Sequence, residues 1–521
     1  MNDQPSPHDP GTSSAHIQQN LSAEKQNVNF GRDQNVVNVE KVDVGPVLLK
    51  NYLGSKKHQS LWEAVADIGA SHTAEQQYDR GACLPGTRRT VLGTIEEWRS
   101  GKKRDRPICW LSGTAGVGKT AIAMTVAKNC HQDGLVSSFF FFRTDPRRNN
   151  PSALMLTIAY GLTVVNISSC HDTINRRISR DPTILDAQIE EQLQELILQP
   201  LRQQKWWKRA GLRLVPHSRA QRRPNLVIID GLDECSDEES QVRVLNAILS
   251  AFQSTPGFPL RFLICSRPES WIREVFDDPL VCQFSKVIVL EDDLRSDDDI
   301  MQYFQRKFEE ISTSPKYRDV QFSSPWPSKE VVVSLVFRAS GQFIYAKTII
   351  GFLKLGDSHP LRQLDIILNK TLQHHQARSP YHELDCLYTV ILTANREPEK
   401  VLPILAAIHI LPSPITPTPE CLELLLGWLP GEVNLSLRAM HSVLDVRGWQ
   451  DPIRVHHKSF TDHLSDSNRS GSFFIGQPAQ RQVLSRLWLQ ALSTQRVSKY
   501  KSVISLNNSG GLSSSVHFSQ F

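Results

Sequence analysis

Gly113, Thr114, Ala115, Gly116, Val117, Gly118, Lys119 and Thr120 have the G-x-x-x-x-G-K-[ST] spacing of a phosphate-binding loop. Gly113, Gly116 and Gly118 let the backbone curl until successive N–H groups point inward at an anion. A helix opening at about Lys119 adds its positive end to the same concavity. Lys119 is the mobile point charge for β- and γ-phosphates, and the Thr120 hydroxyl is a ligand for Mg²⁺. Further on, NLVIIDGLDE (Asn225–Glu234) ends an apolar run in Asp230, a carboxylate at a strand tip suited to the same Mg²⁺. Asp233 and Glu234 follow, placed to orient or deprotonate an attacking water. RFLICSR (Arg261–Arg267) ends in Arg267, which can sense a γ-phosphate and stabilise the charge that develops in hydrolysis. The chemistry these residues can do is to bind a nucleoside triphosphate and cleave it.

Five short apolar runs would position them. Ile108–Leu111 leads into the loop, and Ser137–Arg143, Leu226–Asp230, Arg261–Ser266 and Lys286–Leu290 follow, with helical patterns between. Such an alternation predicts a three-layer α/β domain, a parallel sheet with its ligand at the carboxyl ends of the strands. Asp297–Asp299 load the start of a helix running to Ile311. Beyond residue 312 the pattern is helical: Lys329–Leu355 as one helix, then Tyr381–Leu392 and Val401–Ile410. A close helix pair, Glu420–Leu429 and Val433–Met440, precedes short strands at Val443–Val446 and Ile453–Val455, a winged-helix layout. The predicted divisions are a disordered region with a short β-prone segment over 1–60, the NTPase domain over 61–311 and a helical domain over 312–411. A winged-helix-like domain over 412–470 and a helical, Ser/Gly-rich tail over 471–521 complete them.

Composition narrows the class. The 521 residues exceed one compact core, and 40% hydrophobic with 22% charged content is ordinary for a globular protein. A net charge of +5 over this length does not by itself imply nucleic acid. Nine cysteines without a C-x-x-C pair fit reduced thiols in the cytoplasm, and the polar N-terminus lacks the apolar core of a signal peptide. No apolar stretch is long enough to span a bilayer. Two segments keep two readings each. Asn27–Val44 alternates Val with amide and charged residues, as an edge strand or a self-associating segment would. Arg202–Arg223 is basic with two tryptophans inside it, as a solvated loop or an anion-contacting patch would be. Ahead of the first strand, Asp79–Arg88 delivers a Thr-Arg pair to a helix start, either as a capped linker or as a cover for the nucleotide base.

Taken together, Gly113–Thr120, the Asp-Gly-Leu-Asp-Glu of 230–234 and Ile264-Cys265-Ser266-Arg267-Pro268 resemble the NACHT branch of the STAND P-loop NTPases, including nephrocystin-like N-terminal domains. Cys83-Leu84-Pro85-Gly86-Thr87-Arg88, Pro107–Leu111 and Asn149–Leu154 are similar to the NACHT proteins of mushroom-forming fungi. The resemblance implies ATP ahead of GTP, Mg²⁺, and slow hydrolysis that resets a signalling switch in fungal non-self recognition or programmed cell death. It implies that His457, in Val455-His456-His457-Lys458-Ser459-Phe460-Thr461-Asp462, sits against the bound diphosphate. It also implies self-association on activation and a sensor for a ligand or partner protein, although the repeats that usually supply it have no period here.

Two other classes compete. A P-loop small-molecule kinase needs an acceptor pocket and a lid arginine cluster, and the helical tail offers neither clearly. A winged-helix nucleic-acid binder would need a basic recognition helix, whereas Val433–Met440 carries only Arg438.

Overall fold

The computed structural model describes residues 60–75, 81–100, 106–132, 134–143, 145–165, 168–203, 225–290, 296–354, 359–371, 381–395, 397–410 and 417–476, with four positions between 482 and 487. The chain divides into two units, Met1–Ser55 and Lys56–Phe521, and all described residues belong to the second. The alternating segment Asn27–Val44 and nearly all of the basic run after Arg202 lie outside the described residues.

Strands β1 (Ile108–Ser112), β2 (Leu135–Phe140), β3 (Leu226–Asp230), β4 (Arg261–Ser266) and β5 (Ser285–Val289) form one sheet in the order β2-β3-β4-β1-β5. Every pairing in it is parallel. Period-two alternation splits the side chains between two cores. Ile108, Trp110, Val227, Ile229, Phe262 and Ile264 face one core, with helices Pro151–Val164 and Glu238–Ser254. Cys109, Leu111, Leu226, Ile228, Leu263 and Cys265 face the other, with α1 (Arg89–Ser100) and α2 (Lys119–Cys130). Helices on both faces bury these strands completely, which is why each reads as an unbroken apolar run. Helix Pro151–Val164 packs closely on the sheet because Gly161 has no side chain: a Cβ there would lie 2.3 Å from the Val136 carbonyl oxygen.

A second core, made almost wholly of helices, begins with α3 (Ser296–Ser312), whose Ile300, Phe304, Phe308 and Ile311 belong to it. The single helix expected over Lys329–Leu355 is two, α4 (Lys329–Ala339) and α5 (Phe343–Leu353). Ser340 at φ 46° and Gly341 at φ 75° are left-handed and stop the first helix; the Ser-Gly pair was the available signal. Helices α6 (His382–Thr393) and α7 (Pro398–Ile410) follow. The pair expected at 420–440 is shortened to Pro419–Leu426 and a single turn at Glu432–Ser436, with 3₁₀ structure over Arg438–Met440. Gly427 at φ 71° and Gly431 bound the connection between them. Two-residue strands β6 (Leu444–Asp445) and β7 (Arg454–Val455) pair antiparallel, and α8 (Lys458–Leu464) comes next. Between helix Pro151–Val164 and β3, the chain forms a 3₁₀ turn at Pro182–Asp186 and widens to a π-turn at Leu193–Leu198.

Candidate nucleotide site

Sheet register assembles the first wall of the site. Asp230 pairs with Cys265 and Cys265 with Leu111, so the ends of β3, β4 and β1 stand level at the carboxyl edge. The Trp110 indole N–H donates to Ser266 Oγ at 2.8 Å and its ring stacks on Phe276 at 4.4 Å, tying β1 to β4 just below the loop. The loop then turns through Gly116 at φ 84° and Gly118 at φ 100°, and α2 opens at Lys119. Strand, loop and helix therefore stand as the sequence spacing requires. Lys119 Nζ donates to the carbonyls of Gly113 and Thr114 at 2.5 and 2.7 Å, holding its charge over the loop. Burial holds the Lys119 ammonium below its usual range, and Asp233 partly offsets this.

The loop is bolted to the helical region on one side. Ile344, in the first turn of α5, donates its N–H to the Gly116 carbonyl at 3.0 Å. A Cβ on Gly116 would meet Ile344 Cγ2 at 2.1 Å, so this approach requires glycine. Arg88, itself left-handed at φ 55°, donates through Nη2 to the Val117 carbonyl at 2.7 Å. Its backbone N–H donates to Asp299 of α3 at 2.9 Å, and its guanidinium lies 4.9 Å from the Phe343 ring centre. Arg88, ahead of β1, thus fastens the loop to two helices, while Thr87 bonds back to the Leu84 carbonyl.

The second wall comes from the segment after β7. A cavity of about 750 Å³ is lined by Gly116, Lys119, Thr120, Asp230, Asp233, Glu234 and Arg267 on one side. His456, His457, Lys458, Thr461 and Asp462 line the other, and Cys83, Leu84, Tyr303 and Phe343 lie toward the helical end. The volume is that of a small-molecule site. Arg267 joins the walls. Its backbone N–H donates to Asp233 Oδ1 at 3.1 Å and its Nε lies 3.4 Å from Asp233 Oδ2, while Nη1 donates to Asp462 at 2.8 Å. Lys458 Nζ reaches Asp233 from the far wall at 3.7 Å. Burial works against charge on all three groups. For Asp233, the cations Lys119, Arg267 and Lys458 outweigh it and hold the carboxyl below the usual range. For Arg267, Asp462 and Asp233 outweigh it and the guanidinium is held above its usual range. For Lys458, burial reinforced by Arg267 wins and its ammonium is held below the usual range.

The two acids behind Asp230 are not equivalent. Asp233 is 3% exposed, and both its oxygens face cations or N–H groups. Glu234 stands at the cavity and accepts the Arg143 N–H at 3.4 Å, while Arg143 Nη2 donates to the Asp233 carbonyl at 2.8 Å. Thr120 and the buried Asp230 both line the cavity, and a hydroxyl with a carboxylate is a hard-oxygen set that fits Mg²⁺. His457 forms the cap of α8: its Nδ1 accepts the Ser459 N–H at 3.2 Å. Among the described residues, no group of three or more His, Cys, Asp or Glu has the form of a separate metal site.

All the residues singled out from the sequence, Gly113–Thr120, Asp230, Asp233, Glu234, Arg267 and His457, stand at or beside one cavity. Sequence reasoning gave no role to Arg143, Tyr303, Phe343, Lys458 or Asp462. Only the last two carried a signal, as neighbours of His457 in the segment already quoted.

Residues 86–267 match the family model described as Nephrocystin 3, N-terminal. The nephrocystin-like segment holds β1–β4, the phosphate loop, Asp230, Asp233 and Arg267, and ends before the wall that carries His457. No curated protein matches the chain. A solved structure of Drosophila ORC bound to AT-rich DNA and Cdc6 is 9% identical, with 90% of this chain and 71% of that chain covered, at a TM-score of 0.23. The fold stands on the parallel sheet and the loop themselves. Among the described residues no helix is long and apolar enough to cross a membrane, and all nine cysteines are free thiols.

Proposed function

We propose that this chain is a nucleoside-triphosphate-binding switch of the STAND type, working in the cytoplasm, with ATP favoured over GTP and Mg²⁺ as cofactor. In the diphosphate state the wall bearing His457 stays closed on the phosphate loop; in the triphosphate state it opens and the chain self-associates. The observation that carries this is the bond pattern of Arg267, shared between Asp233 beside the loop and Asp462 on the opposite wall. A γ-phosphate arriving at Arg267 competes with Asp462 for the same guanidinium.

Slow hydrolysis resets the state. Glu234 is the group for the attacking water, because Asp233 is held between cations and acts as a strut for Arg267 and Lys458. Mg²⁺ held by Thr120 and Asp230 would neutralise phosphate charge. Arg267 takes up the charge that develops in cleavage. No feature of the cavity favours the kinase class, and the turn Glu432–Ser436 carries an acid and no base, which argues against nucleic acid. Mass photometry of the full chain tests the reading. It predicts larger assemblies with a non-hydrolysable triphosphate than with diphosphate, and an unchanged mass distribution would refute the switch.

A further inference from the structure

A chain of side chains runs from the cavity wall into the helical core. His457 Nδ1 lies 2.7 Å from Ser459 Oγ, and Ser459 Oγ lies 2.7 Å from the Tyr388 hydroxyl on α6. Ser459 and Tyr388 are both buried, and the Tyr388 ring is fixed edge-on to Phe460 at 5.0 Å and tilted on His463 at 5.5 Å. The polarity of this chain is decided at one end. The Ser459 backbone N–H points at Nδ1, and a backbone N–H can only donate. Nδ1 is therefore an acceptor, and the ring proton sits on Nε2. Ser459 Oγ–H then also donates toward Nδ1 and its oxygen accepts from Tyr388. Burial, only partly opposed by the Ser459 bond, pushes the Tyr388 phenol up, so it keeps the proton it donates.

We propose that Ser459 and Tyr388 are positioning residues that hold His457 as the neutral Nε2–H tautomer, presenting it to the terminal phosphate of a bound nucleoside diphosphate as a hydrogen-bond donor and not as a cation. The proposal rests on the switch reading for the ligand, but its proton arrangement stands on geometry alone. The surrounding charges act in the same sense. On its own segment His457 is followed by Lys458, and His456 is turned toward the His441 carbonyl at 3.1 Å. Across the cavity stand Lys119, Arg143 and Arg267 against the carboxylates of Asp230 and Glu234, with Asp233 and Asp462 engaged by Arg267. Behind α8, Asp385 is paired with His463 and Arg469. A further cation at His457 would add to a wall already rich in positive charge.

A neutral donor adds no pH dependence of its own between about pH 6 and pH 8, whereas an imidazolium tightens its hold as pH falls; the ionisation of the diphosphate itself is common to wild type and variant. The Tyr388→Phe variant keeps the Ser459 N–H on Nδ1 but removes the donor that orients the Ser459 hydroxyl, so the hydroxyl can turn to accept from a protonated ring and only the N–H still opposes that proton. Relative to wild type, release of a fluorescent nucleoside diphosphate from the variant should then become about fivefold slower at pH 6 than at pH 8. Long-range ¹H–¹⁵N spectra of ¹⁵N-histidine-labelled full chain, with His457 assigned through His457→Gln, should give the Nε2–H pattern at pH 7 whether or not the variant folds. An imidazolium or Nδ1–H pattern overturns the proposal, as does a Tyr388→Phe effect equal at every pH, which would mean packing alone. Diphosphate release that ignores His457→Gln while the Nε2–H pattern persists overturns it through the switch reading instead, with the relay intact.

Discussion

The two walls of the cavity are built by different means. The sheet wall places Asp230, Asp233 and Arg267 through backbone: parallel register, the Arg267 N–H on Asp233, and the Gly231 N–H on the Cys265 carbonyl at 2.9 Å. The wall at His457–Asp462 meets it through side-chain charges, Arg267 to Asp462 and Lys458 to Asp233. The loop's other neighbour, α5, is joined in the first manner by the Ile344 N–H on Gly116, and the Arg88 guanidinium reinforces that joint on a backbone carbonyl, that of Val117. Backbone bonds and buried apolar area cannot be exchanged for a ligand without unfolding something, whereas a guanidinium can trade a carboxylate for a phosphate. The difference teaches which joint can move: the loop and α5 act as one piece, and α8 is clipped to it.

Breaking the sheet wall at its charge gives the largest effect. Lys119→Ala should weaken nucleotide binding about a thousandfold, the worth of two charge-assisted bonds, as fluorescence titration would read. Binding at wild-type affinity would remove the loop assignment. Next comes the rigid joint. Gly116→Ala puts a methyl into Ile344 and onto a left-handed backbone, and should cost about 2–4 kcal/mol in denaturant unfolding. A neutral result would mean that α5 gives way. The clip is weaker: Asp462→Asn should speed diphosphate release about five- to tenfold while stability changes by no more than about 1 kcal/mol. Comparable damage to stability would erase the distinction between the joints.

The last effect is a pH term belonging to the sheet alone. His72, bonded to Ser138 of β2 at 2.8 Å, is lowered to about 4 by burial, then by His131 and Lys128. Its neutral form contributes stability that is fully present above the unfolded value of 6.5. That contribution is lost as pH falls from 6.5 toward 4, because the unfolded chain binds the proton first. His72→Gln should flatten urea stability over that window. Asp233, whose carboxyl is held below its usual range, loses its contribution only at lower pH, as pH falls through its folded value, so the clip should not respond in the same window.

Much of the sheet wall was legible because each motif adjoins an apolar run of strand length: Ile108–Leu111 before the loop, Leu226–Ile229 before Asp230 and Phe262–Cys265 before Arg267. Local pattern and local chemistry agree there. What escaped depends on distant partners. Nothing near Arg88 announces that it bonds to Val117 and stacks on Phe343. The break at Ser340–Gly341 was overridden by the helical periodicity on either side, although it sets the Phe343–Ile344 turn on the loop. Lys458 and Asp462 gain a role only when the fold faces them with Asp233 and Arg267.

The central claim is that nucleotide state decides whether α8 stays clipped to the sheet wall. Amide hydrogen exchange over Lys458–Leu464 in the full chain, with saturating diphosphate and then a non-hydrolysable triphosphate, tests it directly. The account predicts protection of that helix with diphosphate and clearly faster exchange with triphosphate, while β3 and β4 exchange alike in both. Equal exchange of Lys458–Leu464 in the two states would contradict it.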